Sequence, residues 1–426
     1  MATGKQDVVI TGIGVVSPIG LSVPELRESL LQNRSGIRLW QSPQMSRTLP
    51  AGLIERDFSD QFSKLELAYM DRCSQIAMLA AGQALKDGGI EQFEGYAQRA
   101  GLYYGSVTGG VKSEHDWVRQ FYVDKVGSSK PYTIMASMLN AAPALISIKH
   151  RILGTVITNS NACSSSGAAI GEAYLAIREG RLDVALVGGA EAALIPTFMG
   201  LWFGLRALAE VDPVDVARSC RPFSSRRTGL VLGEGSVFML IESRAHAEKR
   251  GAACYCRLSG YGIASDCFHI GSPSSEGQTA AIRAALADAR LRPEQVSYFN
   301  AHATATRGGD PIETDSIRAA FGEAAESVPV SSTKSIHGHL LGGTSAMELA
   351  VCALAIQGSF LPATAHLDEI DPECKLHHIA NQPELDVPVE HAISLSAGFG
   401  GTNVALAVSK EHDLLTKSPV SEASTN

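Results

Sequence analysis

One cysteine stands in a context suited to nucleophilic chemistry. In Thr158-Asn159-Ser160-Asn161-Ala162-Cys163-Ser164-Ser165-Ser166-Gly167, Cys163 lies between an apolar strand pattern, Val156-Ile157, and a run of very small residues. A cysteine in the first turn of a helix feels the positive end of the helix dipole, which favours the thiolate. Small residues behind it let that helix pack closely against a neighbour. A lone cysteine is more often an inert buried residue, so it is the strand–turn–cysteine–helix context that points to a nucleophile.

Two histidine segments and a glycine-rich turn are suited to assist it. Asn300-Ala301-His302-Ala303-Thr304-Ala305-Thr306 closes the strand pattern of Val296–Phe299 and places His302 and two hydroxyls in a loop. Ser331-Ser332-Thr333-Lys334-Ser335-Ile336-His337-Gly338-His339 precedes a second small-residue helix. The His-x-His spacing there lacks an adjacent acid or cysteine. It reads as one catalytic and one bystander histidine, with no metal. Ser394-Leu395-Ser396-Ala397-Gly398-Phe399-Gly400-Gly401 follows an apolar strand. A backbone N–H in such a turn suits an oxyanion hole.

Two other glycine motifs carry less. Gly12-Ile13-Gly14 begins a dinucleotide fingerprint, but Ser17 holds its third glycine position, and a tight turn is expected instead. Gly105-Ser106-Val107-Thr108-Gly109-Gly110-Val111-Lys112 resembles a phosphate loop whose lysine comes one residue too late.

The elements that must position these residues alternate between strand and helix, which predicts an α/β architecture. Strands are expected at Val8–Thr11, Val184–Val187, Val237–Ile241, Val296–Asn300 and Ala392–Ser396. A helix is expected to open at Ser22-Val23-Pro24-Glu25. The chain also matches itself. Gln83–Ile90 leading to Tyr103–Ser106 parallels Ala284–Leu291 leading to Tyr298–Ala301, and Ser166–Gly180 parallels Thr344–Gly358. This order predicts two duplicated halves, residues 1–250 with the cysteine and 251–410 with the histidines. A polar, disordered tail is expected over 411–426.

With 426 residues and a formal charge of −8, the chain is large enough for an extensive core and poorly suited to general nucleic-acid binding. The eight cysteines are scattered, as expected of reduced buried residues. Met1–Asp7 has no secretory pattern and no apolar run is judged long enough to span a bilayer, so a cytoplasmic chain without membrane attachment is expected.

The four reactive segments, with Ile10–Gly20, Asp183–Glu191, Arg221-Pro222-Phe223 and Gly233-Glu234-Gly235, resemble elongating β-ketoacyl-acyl carrier protein synthases of the thiolase superfamily, over about residues 7 to 409. The resemblance implies a thiolase-like five-layered αβαβα fold from two duplicated halves, usually dimeric, as a homodimer or with a ketosynthase-like chain-length partner. It implies a decarboxylative condensation with no cofactor, on substrates carried by an acyl carrier protein. Cys163 would carry the acyl chain, and His302 and His339 would drive malonyl decarboxylation. Lys334 and Glu313 would support them, and the N–H groups of Cys163 and Phe399 would hold the oxyanion. Thr304 and Thr306 would contact phosphopantetheine. Thr108, Trp202, Phe399 and, across the dimer, Thr133 and Ile134 would line the acyl pocket, with Phe399 as its gate.

Some positions depart from that family's habit. Ala303 replaces a usual glycine, and His337 replaces a smaller residue. The docking helix near Leu65-Glu66-Leu67 has few cations, with Lys64, Arg72 and Arg206 remaining, which suggests a dedicated carrier. The chain is at least as similar to ketosynthases of specialised pathways, such as nodulation-factor acyl chains, aromatic polyketides and aryl polyenes. Alternatives are a non-catalytic chain-length subunit, a degradative thiolase and, more distantly, a nicotinamide oxidoreductase. The combination of Cys163, His302 and His339 disfavours each of them.

Overall fold

The computed structural model describes residues 5–417. Ten strands carry the architecture. The first half contributes β1 (Val8–Val16), β2 (Ala100–Gly105), β3 (Val156–Asn159), β4 (Val184–Glu191) and β5 (Gly235–Ser243). The second contributes β6 (Cys256–Ser265), β7 (Tyr298–Asn300), β8 (Pro329–Ser331), β9 (His391–Ala397) and β10 (Thr402–Ser409). Outward from their junction, the halves run β1-β5-β4-β2-β3 and β6-β10-β9-β7-β8, and the two-residue strand His377–His378 adds a parallel edge beyond β8. Strand directions match as well. β4, β2 and β3 are mutually parallel, as are β9, β7 and β8, and the remaining neighbours are antiparallel. The halves meet through a short antiparallel contact in which Val8, Val9 and Ile10 face Leu258, Arg257 and Cys256.

Helices form the other layers. α1 (Arg72–Gly88) and α2 (Ala141–His150) cover the outside of the first sheet. α3 (Ser165–Arg178) lies between the sheets, while α4 (Ser275–Ala289) and α5 (Gly309–Phe321) cover the second sheet. α6 (Thr344–Gly358) packs beside α3. Alternate strand residues serve different layers. Val187 and Met239 face the central helices, whereas Leu186, Phe238 and Leu240 face α1. Leu406 and Val408 face the centre, whereas Ala405 and Ala407 join Ile282 and Phe321 outside. Sheets buried on both faces require such continuous apolar strands, and the five-layered expectation holds.

Several expectations need correction. Gly12 and Gly14 lie inside β1, not in a turn. A Cβ on Gly14 would approach Ala80 O to 2.0 Å, so these glycines let α1 lie directly on the strand. Gly260 and Gly262 do the same for α4, with Gly262's Cβ reaching 2.1 Å from Ala281 O. Those glycines also broke the apolar pattern of β6, which sequence reading missed together with β10. The expected strand at Val296–Asn300 begins at Tyr298, because a 3-10 turn at Pro293–Gln295 occupies the chain before it. The expected helix after Ser22 spans Val23–Leu31, capped by the Ser22 side chain.

The presumed tail is ordered at its start. Cys254 N–H donates to Leu415 O at 2.9 Å, Lys417 N–H donates to Cys254 O at 3.0 Å, and Leu414 packs beside Val9 and Ala247. The rest of that expectation, 418–426, lies outside the described residues. One apolar stretch was also overlooked. Leu341–Gly358 reaches a mean hydropathy of 1.2 over 18 residues, enough by length and composition to cross a membrane, yet 89% of it is buried inside the protein as a core helix.

Candidate active site

The reactive groups converge where the two halves meet. β3 ends at Asn159, and Ala162 turns the chain with φ +49° before the 3-10 turn Ala162–Ser164 feeds α3. In the second half, Leu341 turns the chain with φ +47° before Leu341–Gly343 feeds α6. Such left-handed backbone at a non-glycine residue costs of order 1 kcal/mol and clusters at functional sites. Here the first turn presents the Cys163 side chain to the cleft, and the second presents the Leu341 N–H to His339. The two helices are riveted together, as Ser345 Oγ donates to Cys163 O at 3.2 Å and Ala346 N–H donates to Ser166 Oγ at 3.1 Å.

Cys163 is 5% exposed, and its Sγ lies 3.0 Å from His339 Nε2. The backbone N–H groups of Cys163 and Phe399 lie close enough to the same sulfur to favour its charged form. His339 Nδ1 accepts the Leu341 N–H at 3.2 Å and lies 2.8 Å from Thr344 Oγ1. A backbone N–H can only donate, so the proton of neutral His339 sits on Nε2 and points at the sulfur. His302 stands beyond the end of β7, its ring 5.4 Å from that of His339 and nearly perpendicular to it. Its own N–H is held by Glu313 Oε1 at 2.6 Å, and its Nδ1 is buried without a partner.

Burial dominates the electrostatics. It pushes the Cys163 thiol up to about 12, against the opposing pull of Lys334 and the Phe399 N–H. The helix terminus therefore does not create a resting thiolate, contrary to the sequence expectation. Burial and Lys334 hold His302 and His339 well below the usual histidine range, so both are neutral hydrogen-bond donors. Lys334 is fully buried and paired with Glu348, whose carboxyl burial pushes up. Burial lifts Glu313 to about 8, and Lys334 opposes it.

Cys163, His302 and His339 place sulfur and ring nitrogens within 4.8 Å of one another. That donor set fits a metal poorly, because His339 Nε2 carries the proton and its lone pair at Nδ1 is engaged by Leu341. The arrangement instead supplies N–H donors to charge developing near the sulfur.

These groups open onto a cleft of about 820 Å³ whose wall includes Glu313, Thr304, Thr306, Trp202 and Phe399. Trp202 and Phe399 stack with centroids 5.3 Å apart across its wall. Thr108 does not line this cleft in the single chain. Its Oγ1 donates to Glu191 at 2.5 Å, and Val107 and Thr108 give their N–H groups to the same carboxylate at 2.8 and 3.0 Å. The phosphate-loop look of this segment is thus a real anion cradle, filled by the protein's own Glu191. Thr133 and Ile134 lie on the short helix Thr133–Ser137, also outside the cleft, with Ile134 70% exposed.

Other residues resolve plainly. His337 is buried and turned away, its Nδ1 2.6 Å from Gly338 O and its Nε2 3.1 Å from Thr333 Oγ1. Ala303 avoids positive φ, so its methyl group causes no backbone strain. Arg72 is not a free docking cation, because it pairs with Glu234 at 2.7 Å and donates to Ile54 O at 2.7 Å. Sequence reading missed Glu348, Thr344 and the Leu341 N–H. Glu348 did leave a signal as the single acid within the apolar stretch 341–358.

Comparison with known proteins accords with this geometry. The N-terminal domain model of β-ketoacyl synthases matches residues 5–247, and the C-terminal domain model matches 255–368. The chain is 36% identical over 406 residues to nodulation protein E of Rhizobium meliloti strain 1021, covering 94% of this chain and 98% of that protein. It is also 36% identical over 416 residues to 3-oxoacyl-[acyl-carrier-protein] synthase 2 of Staphylococcus aureus strain COL, covering 96% and 99%. Among solved structures it superposes on the ishigamide ketosynthase/chain length factor with a TM-score of 0.87, at 28% identity, covering 96% of this chain and 100% of that one. With both domain models matched and a cysteine–histidine–histidine centre assembled between the two halves, the chain belongs to the β-ketoacyl synthase family.

Proposed function

We propose that this β-ketoacyl synthase condenses an acyl group held on Cys163 with a malonyl group, both delivered on an acyl carrier protein. The observation that carries the reading is the His339 Nε2–H set 3.0 Å from the Cys163 sulfur, with the Cys163 and Phe399 N–H groups close by. Cys163 Sγ attacks the incoming thioester, the acyl–sulfur bond to the carrier breaks, and the carrier thiol leaves with a proton. The donors that surround Sγ offset the high cost of charge on a buried thiol during this attack. Malonyl thioester then occupies the cleft beside His302 and His339. Their N–H groups stabilise the enolate left when carbon dioxide departs. The enolate carbon attacks the acyl carbonyl, whose oxygen is held by the Cys163 and Phe399 N–H groups. A carbon–carbon bond forms, the bond to sulfur breaks, and the released Cys163 thiolate takes a proton from water to restore the thiol.

Lys334, paired with Glu348, keeps both histidines neutral by adding positive potential beside them. Glu313 fixes the backbone of His302. Thr304 and Thr306, on the cleft wall, are assigned to the phosphopantetheine arm, and Phe399 to gating.

Incubation with acyl carrier thioester followed by intact-mass measurement tests the reading. An acyl adduct is expected, and it should vanish in Cys163→Ala. Malonyl-carrier decarboxylation without any acyl adduct would instead favour the chain-length-subunit alternative.

The partner surface is read from β3. It is an edge strand with Val156 and Ile157 each 40% exposed, flanked by exposed Phe121, Tyr122, Ile134, Met135 and Ile148. A second ketosynthase-type chain pairing along this edge would cover the apolar face and bring Thr133 and Ile134 to the neighbouring acyl pocket. Light scattering of the purified chain distinguishes the cases. A dimer indicates self-pairing, whereas a monomer that dimerises with a chain-length subunit indicates a mixed pair.

A further inference from the structure

We infer that Arg227 is a positioning residue for the carrier arm, clamping the loop that presents Thr304 and Thr306. The inference rests on the assignment of those two threonines to the arm, and the experiment below separates failure of the clamp from failure of that assignment.

The loop that follows His302 is strained and lacks regular structure. Ala305 has φ +64°, between the two threonines. Their hydroxyl oxygens lie 3.2 Å apart, and Thr306 Oγ1 also accepts the Gly309 N–H at 3.2 Å. A left-handed alanine persists only where its surroundings over-determine it. Arg227 supplies that constraint from beneath. It is 4% exposed and does not line the cleft, so it acts through the loop and not on a ligand. Its Nε donates to Thr306 O at 3.0 Å, and its Nη2 donates to Arg307 O at 3.0 Å. The same guanidinium reaches Ser224 O at 2.9 Å and Asp371 Oδ2 at 2.6 Å through Nη1.

Asp310 completes the clamp. Its Oδ2 lies 3.8 Å from Arg227 Nε and accepts the Phe223 N–H at 2.8 Å. One planar cation therefore ties the two carbonyls after the threonine pair to the Phe223–Ser224 turn and to two carboxylates. A lysine ammonium has no planar fork and cannot hold the two loop carbonyls and the Asp371 carboxylate together in this geometry. Without the clamp the hydroxyls lose their fixed separation, while the centre at Cys163 keeps its own supports in α3 and the Leu341 turn. The loss should appear in arm recognition rather than in chemistry.

The test compares Arg227→Lys, the double variant Thr304→Val/Thr306→Val and the unaltered enzyme. Three quantities are measured: KM and kcat with malonyl-carrier protein, the rate of Cys163 acylation by an acyl N-acetylcysteamine thioester, and Tm. Expected for Arg227→Lys is a roughly tenfold rise in KM with kcat within about twofold, and unchanged acylation by the small thioester. The threonine variant should show the same rise in KM. If it does and Arg227→Lys does not, the clamp is wrong and the threonine assignment stands. If the threonine variant leaves KM unchanged, that assignment fails and the clamp inference falls with it. A parallel fall in kcat, small-thioester acylation and Tm for Arg227→Lys would mark a general folding role and overturn the inference. Should Arg227→Lys not fold, Asp371→Asn at the partly exposed end of the clamp must show the same selective KM rise at smaller size, and an unchanged KM there is equally fatal.

Discussion

The turn before α3 and the turn before α6 occupy equivalent places in the two halves, yet they do different work. Each follows the last long parallel strand of its half, each begins with a left-handed non-glycine residue, Ala162 or Leu341, and each leads into a buried helix. The structural register is shifted by one residue from the helix match expected from the sequence, so that Cys163 in the first turn corresponds to Gly342 in the second. Ala169 in α3 corresponds to Glu348 in α6. The first half thus uses its turn to set the Cys163 sulfur at the inner end of the cleft. The second uses the same turn to donate the Leu341 N–H that sets the His339 tautomer, and it buries Lys334 and Glu348 behind the histidines. Duplication supplied two copies of one scaffold, and a few side chains divided the labour. On the proposed mechanism, acyl storage depends on the first copy and stabilisation of the enolate on the second.

The sharpest way to break this division is Cys163→Ala. It should abolish acyl transfer, a loss of at least about 10³-fold, while chromatography and circular dichroism show a folded protein. Detectable elongation at the normal rate would remove Cys163 from its role.

Next in size are the histidines. His339→Ala or His302→Ala should slow malonyl-carrier decarboxylation by roughly 10²–10³-fold, and acylation of Cys163 much less. Carbon dioxide release and adduct mass, measured on the same sample, separate the two. Equal effects on both steps would show that the halves do not divide the reaction as stated. His337→Ala should spare both steps comparatively.

The buried pair of the second half has no counterpart in α3. Lys334→Met leaves Glu348 without its cation, and removing one partner of a buried pair costs about 3–5 kcal/mol. Lys334→Met combined with Glu348→Leu should recover a large part of that loss in urea unfolding. If the single variant is as stable as the starting protein, the pair does not stabilise this half.

A smaller effect concerns acid. His337 is held at about 3, below its ordinary 6.5, by burial and Lys334. The unfolded chain therefore binds more protons, and this contribution to stability, complete above 6.5, is lost as pH falls towards 3. Raised Glu313 works the other way, since its contribution is complete below its ordinary value of 4.5 and is lost as pH rises through about 8. Replacing one group isolates its share. His337→Gln should make the acid limb of stability against pH shallower by up to about 1.4 kcal/mol per pH unit. An unaltered slope would mean that His337 is protonated in the folded protein.

The smallest effect lies in the first half. Thr108→Val removes one of the donors to Glu191 and should cost about 1 kcal/mol, with acylation by short thioesters preserved. A large loss of acylation would show that the Glu191 cradle also governs the nucleophile.

Cys163, His302 and His339 were legible in the sequence because reactive residues beside small or glycine-rich turns break strongly apolar patterns. The duplication was legible for a related reason, since strands and helices buried on both faces repeat in the same order. Periodicity failed at β6, where Gly260 and Gly262 serve contact with α4 and contribute no apolar side chain. Local sequence also misjudged Cys163, because helix position argues for thiolate while burial decides for thiol. Chain neighbours carry no information on how far a site is removed from water.

By itself, then, the sequence determined the reactive residue types, the repeated order of elements and the strand–turn–helix setting of each. These depend on side-chain chemistry and on periods of a few residues. Only the tertiary structure decided that Leu341 fixes the His339 tautomer, that Glu191 fills the cradle at Val107 and Thr108, and that Arg227 lies beneath the threonine loop. Apart from the Leu341 contact, these join residues remote in the chain. Even that contact, two residues apart, needs the left-handed turn at Leu341. Hydrogen bonds and desolvation act over a few ångströms of space, whatever the distance along the chain.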